Sequence, residues 1–177
     1  MCSELHNKHF HREVDMYEPL LRLFNNIEII VAEVPFFGKH IDLIFASKTL
    51  LSLYAVETKL RDWRIAFKQA ALNQIAAQRS YIAVPRKLAI QLFNSEKELF
   101  LRYDVGLIAV SANANILLNA TRNGCFSLRH YRVLKKTLNK VKIQKPKKIG
   151  VVADAISKRT KTLVVLQTWT SEGKRTI

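Results

Sequence analysis

Hydrophobic positions recur with two different periods along the first two-thirds of this chain, and the alternation between them predicts an order of elements. Over residues 15–26, Leu20, Leu21 and Phe24 fall at helical spacing and the Asn25-Asn26 pair marks a stop, which predicts a first helix. IEIIVAEVP follows, dense in β-branched residues and ended by Pro35. A turn at Gly38 leads to HIDLIFA, and Ser47-Lys48-Thr49 connects that run to LLSLYAVETK. These are three successive strands, the last two paired as a hairpin. Residues 62–78 then run without Gly or Pro, rich in Ala, Gln and Leu and with Asp62 placed to cap their start, as a second helix. SYIAVP reads as a strand, RKLAIQLFNSEKELFLRY as a third helix, and GLIAVSA and ANILLNA as two strands around a turn near Asn113.

A helix between LLSLYAVETK and SYIAVP is the crossover that lets two strands lie parallel in one sheet. The expected fold class is therefore α/β, a mixed central sheet flanked by helices. From Ser127 the texture changes. SLRHYRVLKKTLNKVKIQKPKK predicts a basic helix and a Lys-rich connection around Pro146, and the following segment holds a short apolar element that must dock. No Gly/Ser linker intervenes, so residues 127–177 are a basic C-terminal extension of a core at 1–126, either a further layer on that domain or a small nucleic-acid-binding module.

Composition narrows the class. Of the 177 residues 49% are apolar and only 5 are Gly and 4 Pro, which excludes a disordered or fibrous chain. No apolar run approaches the roughly 20 residues of a membrane span, and the opening MCSELHNKHFHRE is polar, so a cytoplasmic protein without a membrane partner is expected. Cys2 and Cys125 make neither a disulfide framework nor a zinc spacing.

Charge adds a partner. Residues 1–121 hold 14 basic and 12 acidic side chains, whereas residues 122–177 hold 15 basic and 2 acidic. Such asymmetry is a footprint for a polyanion, because each Lys or Arg that meets a phosphate releases a condensed counterion. Nucleic acid is the first candidate, with a solvated basic face, acidic lipid or ribosomal RNA as the other readings of the same charge. The cations concerned are Arg129, Arg132, Lys135, Lys136, Lys140, Lys142, Lys145, Lys147, Lys148, Lys158, Arg159 and Lys161.

The chemistry lies in the strands. Asp42 sits on one strand of the expected hairpin, and Glu57 and Lys59 lie two apart near the end of the next, on one face of it. Charges embedded in apolar strands need a reason, since burying an unpaired charge is costly. Two carboxylates with backbone carbonyl and water make a hard oxygen site suited to Mg²⁺ or Mn²⁺, and a neighbouring lysine can orient an attacking water. That is equipment for phosphodiester hydrolysis. The spacing alone is common, as Glu172-Gly173-Lys174 shows; what distinguishes Glu57-Thr58-Lys59 is the preceding acid-bearing strand and the following helix.

Residues 40–85 resemble the core of the PD-(D/E)XK nuclease superfamily, the restriction-endonuclease-like fold. There an acid on one strand, then an acid, any residue and Lys on the next, precede a helix often bearing Gln and then a strand. Asp42, Glu57, Lys59 and Gln69 match those positions, and YIAVP matches the following strand; Ile41 stands where the family has Pro. The resemblance extends over roughly residues 12–112 and implies a Mg²⁺- or Mn²⁺-dependent DNA endonuclease. Asp42, Glu57 and the Thr58 carbonyl would hold the ion, and Lys59 would position water. Gln69 and an acid of the first helix, Glu18 or Glu13 ahead of Asp15, would assist. Asp15 and Glu18 are also spaced as a capping box, the structural alternative for both. Arg61, Arg64 and Lys68 would touch phosphates beside the cut, or else solvate a helix whose Trp63 and Phe67 pack inward. A homodimer is the expected arrangement if two strands are cut. The rival expectations are a non-catalytic nucleic-acid-binding protein that keeps the fold, and an RNA-binding accessory protein.

Overall fold

The computed structural model describes residues 10–122, 126–142 and 164–166. A 3₁₀ turn at Glu13–Met16 leads into α1 (Tyr17–Leu23), followed by β1 (Ile29–Phe36), β2 (Lys39–Ala46), β3 (Leu53–Thr58) and α2 (Trp63–Asn73). Then come β4 (Arg79–Pro85), α3 (Arg86–Ser95), α4 (Lys97–Arg102), β5 (Val105–Val110), β6 (Ala114–Leu118), α5 (Leu128–Lys142) and β7 (Val164–Leu166). The strands form one sheet in the order β6-β5-β4-β3-β2-β1-β7. β3, β4 and β5 are parallel and every other pairing is antiparallel. The architecture is the expected mixed α/β sheet flanked by helices, with the crossover between β3 and β4 made by α2.

Alternation along the strands divides the apolar residues between two faces. Ile30, Phe45, Val56, Tyr81 and Ile108 pack beneath α1, while Ile82, Val84 and Leu107 meet α2, α3 and α4 on the other side. Gly106 admits the Tyr81 ring: a Cβ there would lie 2.2 Å from it. Leu134 and Leu138 of α5 are fully buried in the cluster that holds Ile29, Val31, Ile44 and Ala55, and β7 pairs with β1. The described part of the basic extension is thus a layer and an edge strand of the same core. Lys145, Lys147, Lys148, Lys158, Arg159, Lys161, Cys2 and Cys125 lie outside the described residues. Among the described residues no helix is long and apolar enough to cross a membrane.

Four local expectations are corrected. Residues 15–26 are not one helix, because Asp15 closes the preceding turn by accepting the Arg12 backbone N–H (3.0 Å), and Pro19 sits in the first turn of α1, where a missing N–H costs nothing. α2 ends at Asn73 rather than near residue 78. Ala76 and Ala77 turn into the core, and the Gln78 side chain instead bonds the Leu53 N–H (2.6 Å) and the Leu51 carbonyl (2.8 Å). Asp62 precedes α2 without a side-chain cap; only its carbonyl receives the Ile65 N–H (3.0 Å). The third helix breaks at Glu96, which turns Phe100 onto Trp63 and Phe67 (ring centroids 6.2 and 5.1 Å).

The β1–β2 connection is also a hairpin. Phe37 and Gly38 have φ of 48° and 73°, the positive pair that a two-residue turn of this hand requires. Glu33, at φ 52°, disturbs the ladder behind it. Ala32 and its partner Leu43 pack beneath α1, whereas Val34 and its partner Ile41 pack on the opposite face. The outer half of the hairpin is rotated relative to the inner half, and Glu33 and Asp42 occupy the point of rotation.

Candidate functional site

The β2–β3 register pairs Leu43 with Val56, and one residue further it brings Asp42 across from Glu57. Asp42 is held in place by Thr58, whose backbone N–H and hydroxyl both donate to Oδ2 (2.7 and 2.8 Å). Glu57 is 1% exposed. Its Oε1 accepts from Asn73 Nδ2 of α2 (2.6 Å), while Oε2 is buried without a hydrogen-bond partner. Lys59 leaves the end of β3 with its N–H on the Ala83 carbonyl (3.1 Å), and its Nζ donates to Glu13 Oε2 at 2.7 Å. β2, β3, α2 and the N-terminal 3₁₀ turn therefore converge on a few ångströms of space.

The electrostatics follow from burial. Desolvation raises Asp42 above the ordinary carboxylate range even though Thr58 favours the charged form. Glu57 is pushed up to about 8, first by burial and then by the charge of Asp42, with the Asn73 hydrogen bond pulling the other way. Burial alone would lower Lys59, but the Glu13 hydrogen bond and the charges of Asp42, Glu13 and Glu57 raise it, so the ammonium stays charged. Glu33 adds negative potential at both Asp42 and Glu57 and accepts from the Tyr17 hydroxyl at 3.0 Å. Burial, followed by the charges of Asp42 and Glu33, raises Tyr17, which keeps that hydroxyl a donor.

A buried carboxylate with one orphaned oxygen, facing a second raised carboxylate, fits a divalent cation. Among the described residues no three His, Cys, Asp or Glu side chains form a ligand set by themselves. Asp42 and Glu57 would hold an ion with backbone carbonyl and water, which suits Mg²⁺ or Mn²⁺ better than Zn²⁺.

The structure sorts the candidates. Of the N-terminal acids, Glu13 reaches Lys59; Glu18 is 59% exposed and pairs with Arg22 (2.7 Å), and Asp15 pairs with Arg12 (3.0 Å). Gln69 does not bond Glu57; its Oε1 is buried without a partner, and Asn73, one helical turn later, supplies the amide instead. The structure thus brings Glu13 to Lys59 and leaves Glu18 on Arg22, with Gln69 unbonded to the acid pair. Arg61 and Lys68 are exposed, and Arg64 lies over the Trp63 ring (4.6 Å) and 3.9 Å from Glu96. On α5, Arg129, Arg132, Lys136 and Lys140 are exposed, Lys135 is half-buried near Tyr131, and Lys142 closes the helix.

Asn73, Glu33 and Tyr17 were not singled out from the sequence. Asn73 had a signal, since it follows Gln69 by four positions and shares its face. Glu33 had the one that selected Asp42: a charge inside an apolar strand.

No protein family model and no curated protein matches the chain. Among solved structures it is similar to a protein of unknown function from Silicibacter pomeroyi, with a TM-score of 0.56 and 18% identity over 73% of this chain and 85% of that one. At that identity the likeness shows a shared α/β fold.

Proposed function

We propose that this chain is a Mg²⁺- or Mn²⁺-dependent DNA endonuclease of the PD-(D/E)XK type. The observation that carries the reading is the facing pair Asp42 and Glu57, with Glu57 Oε2 buried and unpartnered and the Lys59 ammonium beside them. Two buried acids without a cation repel each other, and a divalent ion removes that cost. Asp42, Glu57 and the Thr58 carbonyl would hold it, and when bound it supplies Lewis-acid polarisation of the phosphate and a more acidic water. Lys59, kept charged by Glu13, positions the attacking water and offsets charge developing on the phosphate. Asn73 fixes the Glu57 carboxylate, and Thr58 fixes that of Asp42. The exposed cations of α5 support a nucleic-acid partner, tracking backbone phosphates and adding affinity more than sequence choice. Cytoplasmic action and a homodimer for cutting two strands belong to the same proposal.

The test is cleavage of plasmid, linear, single-stranded and branched DNA, with Mg²⁺, Mn²⁺ or EDTA, by the native protein and by Lys59→Ala. Metal-dependent cutting that the substitution abolishes, with unchanged unfolding behaviour, is the expected result. No cutting by either protein, with equal DNA binding by both, would replace this reading with that of a non-catalytic binding protein.

A further inference from the structure

At the carboxyl ends of β3, β4 and β5 the chain leaves the sheet three times in close succession, and a cleft of about 790 Å³ opens between those exits. Open α/β sheets place ligands at such ends, where the connections diverge. One wall is Glu13, the acceptor of the Lys59 ammonium, so the cleft lies one ion pair away from the residues around the carboxylate pair.

The lining is cationic over an apolar flank. Arg61, Arg86 and Lys87 face Asp62 and Glu13, and Glu13 is already committed to Lys59. Among the described residues none of those three cations forms an ion pair within the cleft or elsewhere. Leu60 supplies apolar surface between them. Cations for phosphates beside apolar surface for base faces are what a single strand needs. The volume lies in the roughly 300–1,000 Å³ range of small-ligand pockets, room for roughly one or two nucleotides. That volume suits a single strand better than a duplex.

We infer that this cleft holds an unpaired DNA strand end running from the cut site, so that the protein acts on overhanging or flapped ends in preference to continuous duplex. The inference rests on the nuclease reading of Asp42, Glu57 and Lys59 and adds the substrate class. The α5 cations then serve the neighbouring duplex, and the cleft cations the strand that has left it.

Fluorescence anisotropy in EDTA separates binding from cutting. The protein is titrated with labelled blunt duplex and with duplexes carrying a 5′ or a 3′ overhang, at one salt concentration, alongside an Arg86→Ala/Lys87→Ala double variant. At least one overhang should bind about tenfold tighter than blunt duplex, the worth of one ordered nucleotide. The double variant should bring that ratio close to one while binding blunt duplex almost as well as the native protein. Lys87 is exposed and Arg86 half-buried, and urea unfolding confirms that the variant is folded. Equal affinity for blunt and overhanging duplexes, or a preference that the double variant retains, would overturn the inference. A preference lost in the double variant upholds the cleft even if added Mg²⁺ produces no cutting, in which case only the nuclease reading fails. Efficient metal-dependent cutting of covalently closed plasmid without overhang preference leaves the nuclease reading and removes this one.

Discussion

Glu57→Gln tests the physics of the site without any substrate. Glu57 is 1% exposed and its carboxyl titrates near 8 instead of the ordinary 4.5, because burial and the facing Asp42 disfavour the charge. Between those two values the folded protein holds a proton that the unfolded chain has released. Stability is therefore full below the unfolded value, falls as pH rises toward 8, and levels off above it. Integrated over that interval, the loss amounts to roughly 4 kcal/mol at pH 8 in metal-free buffer. Lys59 stays protonated throughout this range and contributes no slope, while Asp42, raised by burial, adds a loss of the same sign. Glutamine abolishes the titration and keeps an oxygen for Asn73. In EDTA the variant should exceed the native protein by roughly 4 kcal/mol at pH 8 and match it near pH 4.5. Urea unfolding followed by circular dichroism reads this as a higher midpoint at unchanged slope. Mg²⁺ should close most of that gap: at 100 times its Kd it stabilises the native protein by about 2.7 kcal/mol and leaves the variant nearly unmoved. A variant no more stable than the native protein at pH 8, or equal stabilisation of both by Mg²⁺, would refute the account of Glu57 as a strained carboxylate awaiting a cation.

Two other predictions concern the basic extension. Leu138→Ala, at a fully buried position of α5 among β1 and β2 residues, should lower the single unfolding transition by about 2–5 kcal/mol; a main transition that does not move would mean α5 is not part of that core. Replacing Arg132, Lys135, Lys136 and Lys140 by Gln should flatten the log–log salt dependence of DNA binding by about three to four, and an unchanged slope would remove α5 from phosphate contact.

What could be read from the sequence followed from periodicity. The alternating strands and the Gly-free helix 62–78 are local signals that specify a crossover, hence a parallel pair and a mixed sheet. Element ends were less accessible because tertiary demands set them. α2 stops where Asn73 turns toward Glu57, and β3 begins only at Leu53 because Leu50, at φ 57°, is driven into the core. Asp42, Glu57 and Lys59 were recognisable because charges in apolar strands stand out. Their supports were not. Glu13 and Glu18 are equally acidic in sequence, and only the 3₁₀ turn aims the first at Lys59 while α1 aims the second at Arg22.

The same departures from local regularity build the site. A non-glycine residue at positive φ costs on the order of 1–3 kcal/mol, and Glu33 carries that strain at the position where the β1–β2 hairpin rotates. The rotation exchanges the faces of Val34 and Ile41 relative to Ala32 and Leu43, and Asp42, between Ile41 and Leu43, is left free of strict alternation to meet the Thr58 N–H and hydroxyl. Glu33, Asp42 and Glu57 then share one patch of negative potential that burial makes expensive. A structural ion pair at a sheet edge would satisfy itself, yet among the described residues the Lys59 ammonium bonds Glu13, and Glu57 Oε2 keeps no partner. Strain, burial and an orphaned oxygen at one point are costs that the proposed cation would offset, which is why the acid pair, more than the basic extension, carries the functional reading.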